Sequence, residues 1–345
     1  MSEEPLYVLT IGDHHFQTSN VKECTEFCEK VYKLINDETI DVIINMGDTL
    51  HNHEKMHVVP YTNATKFIKN LAKMKPTYLI IGNHDRPNNN DFLSDYHPFV
   101  GLHEKDNLTV VDKVIVKEIK GMKFAFVPYV HPGRLFEAIS TNKEINIETI
   151  KEDFKAFFGH HEIHGTNMGV ITSTTGDKWP KDYPYFISGH IHDYCRPQTN
   201  VIYVGTPMQH NFGERDDKTV SLWTIYPDKP PIERRIDLGL TKRLTVTLKC
   251  EEVFKWMPPT GYLIRLIIEG TNSEIKSIMK TECIKNLKKT EIKIVYNTID
   301  EINMGINKKI NFQNIKLSYG RRFLSAIMEN PGQVFWFNKI FVNSV

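Results

Sequence analysis

Long apolar runs and an even number of cysteines are both missing from this sequence of 345 residues. No run approaches the ~20 apolar residues that a membrane-spanning helix needs, and the acidic start Met1-Ser2-Glu3-Glu4 lacks the basic character of a signal peptide. The five cysteines form an odd, scattered set, which is typical of reduced thiols inside a cell. We therefore expect a soluble, intracellular protein without a membrane span.

A strong net charge is also missing, because 43 basic and 42 acidic residues leave only +1. The balance hides an asymmetry along the chain. Residues 241–345 carry 17 lysine and arginine residues against 9 aspartate and glutamate, whereas residues 1–240 carry 26 against 33. A basic segment next to a metal site suits a polyanionic substrate. On charge alone, a solvated lysine-rich surface explains the same numbers equally well.

Length and hydrophobic patterning predict an α/β protein with more than one domain. Apolar strand-like runs alternate with helical spacing at 21–36 and 59–74, which predicts a layered sheet. Residues 107–130 predict two strands joined at Lys120-Gly121. A linker is expected near 235–241. The later strands at 243–249, 262–269 and 291–297 and a helix at 272–288 predict a small α+β unit. We divide the chain into residues 1–240, 241–300 and 301–345.

Five short clusters of metal-binding residue types each follow an apolar run. They are Gly12-Asp13-His14-His15, Gly47-Asp48-Thr49-Leu50-His51, Gly82-Asn83-His84-Asp85, Gly159-His160 and Gly189-His190-Ile191-His192. A strand that ends in glycine and then a ligand places the ligand at the carboxyl edge of a sheet, where open α/β sheets bind their ligands. One Gly-Asp or Gly-His pair is a weak signal, but five strand-end clusters together predict one shared crevice.

The residue types in these clusters predict a site for two hard or borderline cations. Imidazole, carboxylate and amide groups without thiolate suit Mn, Mg, Fe or Zn. Two cations ~3.5–4 Å apart need one bridging ligand, and Asp48 is the natural bridge because its cluster lies between the other two N-terminal ones. His84 directly follows Asn83 and points elsewhere, so it is the candidate for an acid near a phosphate.

Other polar residues near the clusters receive plainer interpretations. His53, His57, His161 and His164 are interpreted as loop or surface residues rather than ligands. Asp85 is interpreted as a partner of a neighbouring histidine, since ligating histidines commonly bond to a carboxylate. His190 and His192 alternate along an extended segment, so both can face one site only with a turn or with one ligand per metal.

The clusters resemble those of the calcineurin-like metallophosphoesterase superfamily, whose fold is a two-sheet αββα sandwich. The narrower resemblance is to SbcD-type nucleases, the family of the meiotic-recombination nuclease. The second cluster lacks the Asp-Arg-Gly continuation of Ser/Thr phosphatases, and the third ends in Asp85 rather than glutamate. Tyr203-Val204-Gly205-Thr206-Pro207 resembles that family's Tyr-x-Gly-[Ser/Thr]-Pro stretch. The small unit after residue 241 resembles its capping domain.

This resemblance implies a role for each cluster residue. Asp13, His15, Asp48 and His192 resemble the ligands of one metal, and Asp48, Asn83, His160 and His190 resemble those of the other. His84 resembles the histidine that contacts the scissile phosphate. His51 matches a position that is a second active-site histidine in some members and an aspartate in others. The resemblance implies two divalent ions, with Mn²⁺ as the first choice and Mg²⁺ as the alternative.

The resemblance also implies an activity and partners. It implies a homodimeric DNA nuclease, exonucleolytic on double-stranded ends and endonucleolytic on single strands, that acts in repair, recombination or replication with an SbcC-type coiled-coil ABC ATPase. The predicted docking residues for the ATPase are Phe323, Leu324, Ile327 and Trp336. The tail could instead pack on its own capping domain. Two rival functions remain open: a metallophosphoesterase acting on a small nucleotide or phosphoprotein, and a non-catalytic scaffold.

Overall fold

The computed structural model describes residues 4–169 and 171–299. The strands are β1 Leu6–Ile11, β2 Val42–Asn45, β3 Thr77–Ile80, β4 Leu108–Val111, β5 Ile115–Ile119, β6 Met122–Val127, β7 Ala156–Gly159, β8 Asn167–Met168, β9 Ile171–Thr172, β10 Tyr185–Ser188, β11 Cys195–Gln198, β12 Val201–Tyr203, β13 Val220–Ile225, β14 Ile232–Ile236, β15 Lys242–Lys249, β16 Tyr262–Gly270 and β17 Lys293–Thr298. The helices are α1 Val21–Asp37, α2 Val58–Met74, α3 Leu135–Ser140, α4 Ile150–Asp153, α5 Asn272–Ile278 and α6 Glu282–Leu287, with 3-10 turns at Thr18–Asn20 and Val100–Leu102. The predicted ATPase-docking residues Phe323, Leu324, Ile327 and Trp336 lie outside the described residues.

Two six-stranded mixed sheets form the larger unit. Their strand orders are β14-β13-β1-β2-β3-β4 and β11-β12-β10-β7-β6-β5. Within each sheet four strands are parallel, β1 to β4 in the first and β6, β7, β10 and β12 in the second. The central strands are mostly apolar, with few polar residues such as Thr10 and Asn45, because both of their faces are covered. Parallel strands share one carboxyl edge, so the loops that follow them meet at one end of each sheet.

The two sheets pack face to face between layers of helices. Ile44 of the first sheet and Phe126 of the second belong to the same buried cluster between the sheets. Phe27 of α1 and Phe67 of α2 cover the outer face of the first sheet, and Leu135 of α3 belongs to the cluster on the outer face of the second. The expected αββα sandwich is confirmed by this layering.

Helix α1 shows how spacing selects the buried face. Its buried residues Cys24, Phe27, Val31 and Ile35 recur every three or four positions, which places them on one stripe of the helix.

All five cysteines lie in the described residues as free thiols. Within residues 4–169 and 171–299, no helix has both the length and the hydrophobicity that a membrane crossing requires.

The prediction of two strands over residues 107–130 is wrong in number. Three strands form there, because β4 joins the first sheet beside β3 while β5 and β6 form a hairpin in the second. The hairpin turns where the sequence predicts, at Lys120 and Gly121, whose φ angles are 48° and 73°. Two consecutive positive φ angles are typical of the tight turn that matches the twist of paired strands. The predicted linker near 235–241 is shorter, because β14 continues to Ile236.

A separate three-stranded parallel sheet follows, in the order β15-β16-β17. Helices α5 and α6 cover one of its faces, where Ile275 and Ile284 pack with Leu266. The prediction of one helix at 272–288 is wrong. The segment forms two helices because Thr281 starts the second one, its hydroxyl accepting a hydrogen bond from the backbone N–H of Ile284. The unit is therefore α+β as predicted, with the two consecutive helices α5 and α6 on one side of the sheet.

Candidate metal centre

The five clusters meet at one end of the sandwich. Asp13 and His15 follow β1, Asp48 follows β2, Asn83 follows β3, His160 follows β7, and His190 and His192 follow β10. Strands β1 to β3 belong to the first sheet, and β7 and β10 belong to the second. The site therefore lies across the carboxyl ends of both sheets, where the strand-end argument places it. The structure brings all seven predicted ligand residues together.

Three of these residues have a backbone conformation that side chains disfavour. His15, Asp48 and His190 have φ angles of 45°, 48° and 82°. Positive φ is uncommon outside glycine, and such strained residues concentrate at functional sites. Gly47 has φ 103°, and a Cβ atom there would lie only 2.6 Å from Nδ1 of His160. The loops are thus shaped to direct ligand side chains inward and to let the two sheets approach closely.

One group of ligand atoms surrounds His160. Its Nδ1 lies 2.8 Å from the backbone carbonyl of Met46 and donates to it. Its Nε2 faces two oxygens, Asn83 Oδ1 at 3.0 Å and Asp48 Oδ1 at 3.3 Å. The same Asn83 oxygen lies 3.1 Å from Nδ1 of His190. Because Nδ1 of His160 already carries a proton, the lone pair of Nε2 and the facing oxygens need a positive charge between them.

The pKa of His160 reflects that requirement. Burial lowers this pKa, but the carboxylates of Asp48 and Asp13 outweigh burial and raise it to about 9. Burial likewise raises the pKa of Asp48, yet His160 and then His15 hold it well below the ordinary value. A proton or a bound cation can therefore neutralise this group, and a cation displaces the proton when it binds.

A second group of ligand atoms surrounds His15. Its Nε2 lies 3.1 Å from Nε2 of His192 and 3.7 Å from Asp48 Oδ2. His192 directs Nδ1 toward Glu214 Oε1 at 3.3 Å, which assigns the proton to Nδ1 and leaves the Nε2 lone pair facing His15. Asp13 Oδ1 is buried and has no hydrogen-bond partner among the described residues. Burial raises the pKa of Asp13 to about 6.

These donor atoms fit two divalent cations. One ligand atom from each of Asp48, His160 and His190 lies within 4.8 Å of the others, and the same holds for Asp13, His15 and Asp48. Asp48 belongs to both groups, and its two oxygens face different groups. Oxygen and imidazole donors without thiolate suit hard or borderline metals. Candidate divalent-metal sites are therefore present, while the individual roles of the seven residues stay predictions.

His84 and His51 lie at the half-exposed rim of the centre. The backbone N–H of His84 donates to Asp48 Oδ1 at 2.8 Å, which fixes the start of the third cluster against the predicted bridging residue. The His84 ring stacks on His51 at 5.6 Å and on His53 at 4.5 Å between centroids. His53 lies in a loop, as interpreted, and its half-buried ring supports His84. His57 is exposed, as interpreted.

Two interpretations need correction in part. His161 lies in a loop but is fully buried, because it follows His160 directly and its ring points the other way, against Phe186. Asp85 bonds to backbone rather than to a histidine. Its carboxylate accepts hydrogen bonds from the N–H groups of Thr49, Leu50 and Gly82, and so ties the second cluster to the third. His164 is exposed, as interpreted.

Sequence reasoning missed two residues, His210 and Glu214. Both lie in the loop that follows β12, a parallel strand beside β10 whose carboxyl end opens on the same site. Nε2 of His210 lies 2.8 Å from the backbone carbonyl of Asp13, and Glu214 bonds to His192. The strand-end rule points to the loop after 201–203 but not to His210 and Glu214 within it, because both lie several positions beyond the end of the strand.

The same loop contacts the small α+β unit. The backbone N–H of Arg243 donates to Gln209 Oε1 at 2.7 Å, and its Nε donates to the Gln209 carbonyl at 2.9 Å. The guanidinium groups of Arg243 and Arg265 both lie near the ring of Phe212, at 5.5 Å and 5.1 Å from its centroid. The basic small unit is thus attached directly to the loop that supports His192.

Comparison with known proteins agrees with this geometry. A family model described as calcineurin-like phosphoesterase matches residues 6–194. The chain is 36% identical over 288 residues to protein 078R of Invertebrate iridescent virus 3, covering 83% of this chain and 82% of that protein. It is 35% identical over 283 residues to protein 244L of Invertebrate iridescent virus 6, covering 80% of this chain and 98% of that protein. The names of both viral proteins describe them as phosphoesterases by inference, without a stated substrate.

A more distant relative is protein R555 of Acanthamoeba polyphaga mimivirus, whose name describes it as uncharacterized. The chain is 25% identical to it over 324 residues, which cover 89% of this chain but only 23% of that protein. The family-model match covers all five strand-end clusters, the last of which ends at His192. The comparisons therefore concern the same residues as the candidate metal centre.

Proposed function

This chain belongs to the calcineurin-like phosphoesterase family, and on that premise we propose that it is a DNA nuclease that uses two divalent cations. Metal-dependent hydrolysis of phosphoesters is the general activity. The observation that carries the finer proposal is the attachment of a basic second unit to the loop beside His192, through Arg243 and Phe212. A polyanionic strand that binds the second unit would thereby reach the metal centre.

The chain's own residues have distinct tasks in this reaction. When bound, the cations would polarise the phosphoryl oxygens and make a hydroxide nucleophile available near neutral pH. Asp48 would serve as a ligand of both cations, because each of its oxygens faces one group of ligands. His84 donates a proton to the departing oxygen from the rim, and its ring is kept in place by the stacked His51 and His53.

Charge distribution supports DNA over a small substrate. Residues 241–345 carry a surplus of basic side chains, whereas residues 1–240 carry a surplus of acidic ones. Phosphate contacts by lysine and arginine provide most of the affinity of nucleases for nucleic acid and make that affinity sensitive to salt. A small nucleotide or a phosphoprotein would gain little from an extended basic unit. The two viral relatives are named only as phosphoesterases, so both substrate classes enter the assay.

The proposal extends to cations and partners. Mn²⁺ is the first choice and Mg²⁺ the alternative, since both accept oxygen ligands and Mn²⁺ also accepts imidazole. The proposed partner is an SbcC-type coiled-coil ABC ATPase that docks on residues 301–345, and the proposed setting is DNA repair, recombination or replication. The proposed homodimer would use helix α2, at whose start Val58 and Val59 are 79% and 53% exposed.

One set of assays tests the proposed substrate. Purified full-length protein is given Mn²⁺ with linear duplex DNA, a single-stranded DNA circle, a chromogenic phosphodiester and a chromogenic phosphomonoester. The expected result is cleavage of both DNA substrates and of the phosphodiester, with the DNA reactions falling steeply as salt rises. The chromogenic substrates act as a control for the metal centre. Hydrolysis of the monoester without any DNA cleavage would favour the small-substrate alternative.

A further inference from the structure

His210 shares the metal centre with two of the predicted ligands. Its ring centroid lies 4.9 Å from that of His15 and 5.2 Å from that of His192. One ring nitrogen from each of these three histidines lies within 4.8 Å of the other two. Ring centroids at this spacing are compatible with three imidazoles around one cation, since zinc binds an imidazole nitrogen at about 2.0–2.1 Å.

The hydrogen bonds of His210 decide which of its nitrogens is available. Nε2 lies 2.8 Å from the backbone carbonyl of Asp13 and donates to it. A neutral imidazole then has its lone pair on Nδ1. That Nδ1 is buried and has no hydrogen-bond partner among the described residues. A buried acceptor without a partner is destabilising unless a ligand uses it.

Glu214 links His210 to His192. One carboxylate oxygen lies 3.3 Å from Nδ1 of His192, and the other accepts from the backbone N–H of His210 at 3.0 Å. The same carboxylate therefore fixes the tautomer of one imidazole and the backbone position of the other. A histidine that served only to hold the loop would need Nε2 and its bond to Asp13. It would not need a buried Nδ1 without a partner among the described residues, on a ring whose centroid lies 4.9 Å and 5.2 Å from those of His15 and His192.

We propose that His210 is a further ligand, through Nδ1, of the cation held between Asp13, His15, Asp48 and His192. The inference rests on the two-cation centre of the proposed function, and it is independent of whether the substrate is DNA. It makes the two cation positions chemically different. The His210 side would offer three imidazoles, whereas the other side offers His160, His190 and the Asn83 amide. A nitrogen-rich position favours Mn²⁺, Fe²⁺, Co²⁺ or Zn²⁺ over Mg²⁺.

Two conservative substitutions separate ligation from simple positioning. In His210→Gln the amide nitrogen reaches the place of Nε2, so the bond to the Asp13 carbonyl can persist while the Nδ1 lone pair is lost. In His210→Asn the side-chain amide lies near the place of Nδ1, so a donor atom for the cation remains while the bond to Asp13 is lost. The exposed His164→Gln is the matched control for removing a histidine.

Calorimetric titration of the full-length protein with Mn²⁺ gives the first readout. We expect two ions per chain in the wild type, at least a tenfold weaker affinity for one ion in His210→Gln, and a smaller loss in His210→Asn. Loss of a group beside a metal ligand typically costs about 10–100-fold in affinity, so loss of a ligand should cost at least as much. Wild-type affinity in His210→Gln, or the reverse order of the two variants, would overturn the inference.

A spectroscopic readout reports ligation directly. In the Co²⁺-loaded protein, a ligating histidine with a protonated remote nitrogen gives a hyperfine-shifted proton signal that exchanges with solvent. His210→Gln should lack one such signal of the wild-type set, and His164→Gln should lack none. If His210→Gln still binds two ions and keeps every exchangeable signal of the wild type, then His210 is not a ligand, while the two-cation centre stands. A wild type that binds no ion would refute the proposed two-cation centre together with the role of His210.

Discussion

The carboxylate of Glu214 holds His192 in place, with Oε1 3.3 Å from Nδ1 of the imidazole. The pair links the metal centre to the loop on which the small unit rests. His192 lowers the pKa of Glu214 to about 2, although burial of the carboxylate raises it. The carboxylate is therefore charged at neutral pH and accepts the Nδ1 proton of His192, which leaves the Nε2 lone pair for a cation.

Replacement of Glu214 by alanine should weaken the binding of one cation. Without the carboxylate, His192 loses the group that fixes its tautomer and orientation, and such losses typically cost about 10–100-fold in metal affinity. Titration calorimetry with Mn²⁺ measures the effect. Asp216→Ala is the matched control, because Asp216 is exposed and lies two positions further along the same loop. Equal affinities in the two variants would contradict the role given to Glu214.

Replacement of His84 by serine should leave the cations in place and slow cleavage. The backbone N–H of His84 bonds to Asp48 and survives the change, while the ring at the rim is lost. General acid–base groups typically contribute ~10²–10⁴-fold to a rate. Metal content by mass spectrometry and the rate on a chromogenic phosphodiester are measured together, with the exposed His57→Ser as control. Lost metal would make His84 a ligand, and an unchanged rate would remove its catalytic role.

Helix α2 should contribute to a dimer interface. Val58 and Val59 begin this helix and are 79% and 53% exposed, and exposed apolar side chains next to each other are typical of interaction surfaces. Sedimentation velocity at micromolar concentration should show a dimer for the wild type and a monomer for the double variant Val58→Asp, Val59→Asp. Ile232→Asp is the control, since Ile232 is equally exposed elsewhere, at 57%. A wild-type monomer would refute the prediction.

A histidine–aspartate cluster outside the metal centre should make the free energy of unfolding depend on pH in the acid range. Asp112 Oδ2 lies 3.3 Å from Nε2 of His97 and 2.8 Å from Nε2 of His103. Burial raises the pKa of Asp112, but the two histidines outweigh it and lower the pKa from 3.8 to about 2. Because the folded pKa lies below the unfolded one, the stabilisation is complete above pH 3.8 and is lost as pH falls toward 2.

The measurement for Asp112 is urea unfolding of the wild type and of Asp112→Asn across this range. The wild type should be the more stable protein near neutral pH. The difference in the free energy of unfolding should shrink between pH 4 and pH 2, since the wild-type carboxyl takes up a proton there and the amide does not. A difference that stays constant or grows over that interval would contradict the stabilising role given to the contacts of Asp112 with the two histidines.

The strand-end rule explains how much of the site the sequence could predict. Asp13, Asp48 and Asn83 each follow an apolar strand and a glycine, so their common location follows from the parallel sheet. His210 lacks that signature, because it lies seven positions after the end of β12 with a proline between them. Its place depends on how the loop folds back to the Asp13 carbonyl, which is a tertiary contact without a local pattern.

Other differences have equally local causes. Periodicity predicts a helix at 272–288 because it does not distinguish one helix from two that share an apolar face, whereas Thr281 caps a new helix. Side chains alternate between the two faces of a strand, so the direction of His161 can be predicted only if the last residue of the strand is known without error. The burial of His161 therefore depends on the position where β7 ends at Gly159.

The most direct test of the central claim is the metal content of Asp48→Ala. Each Asp48 oxygen faces a different group of ligands, so its loss should weaken both cation positions and abolish phosphodiester hydrolysis. Mass spectrometry of the native protein counts the ions, and thermal melting shows whether the fold survives, since metal binding also stabilises a native state. We expect two Mn²⁺ per wild-type chain and none tightly held in the folded variant. Two tightly held ions in Asp48→Ala would show that Asp48 does not bridge the two groups of ligands.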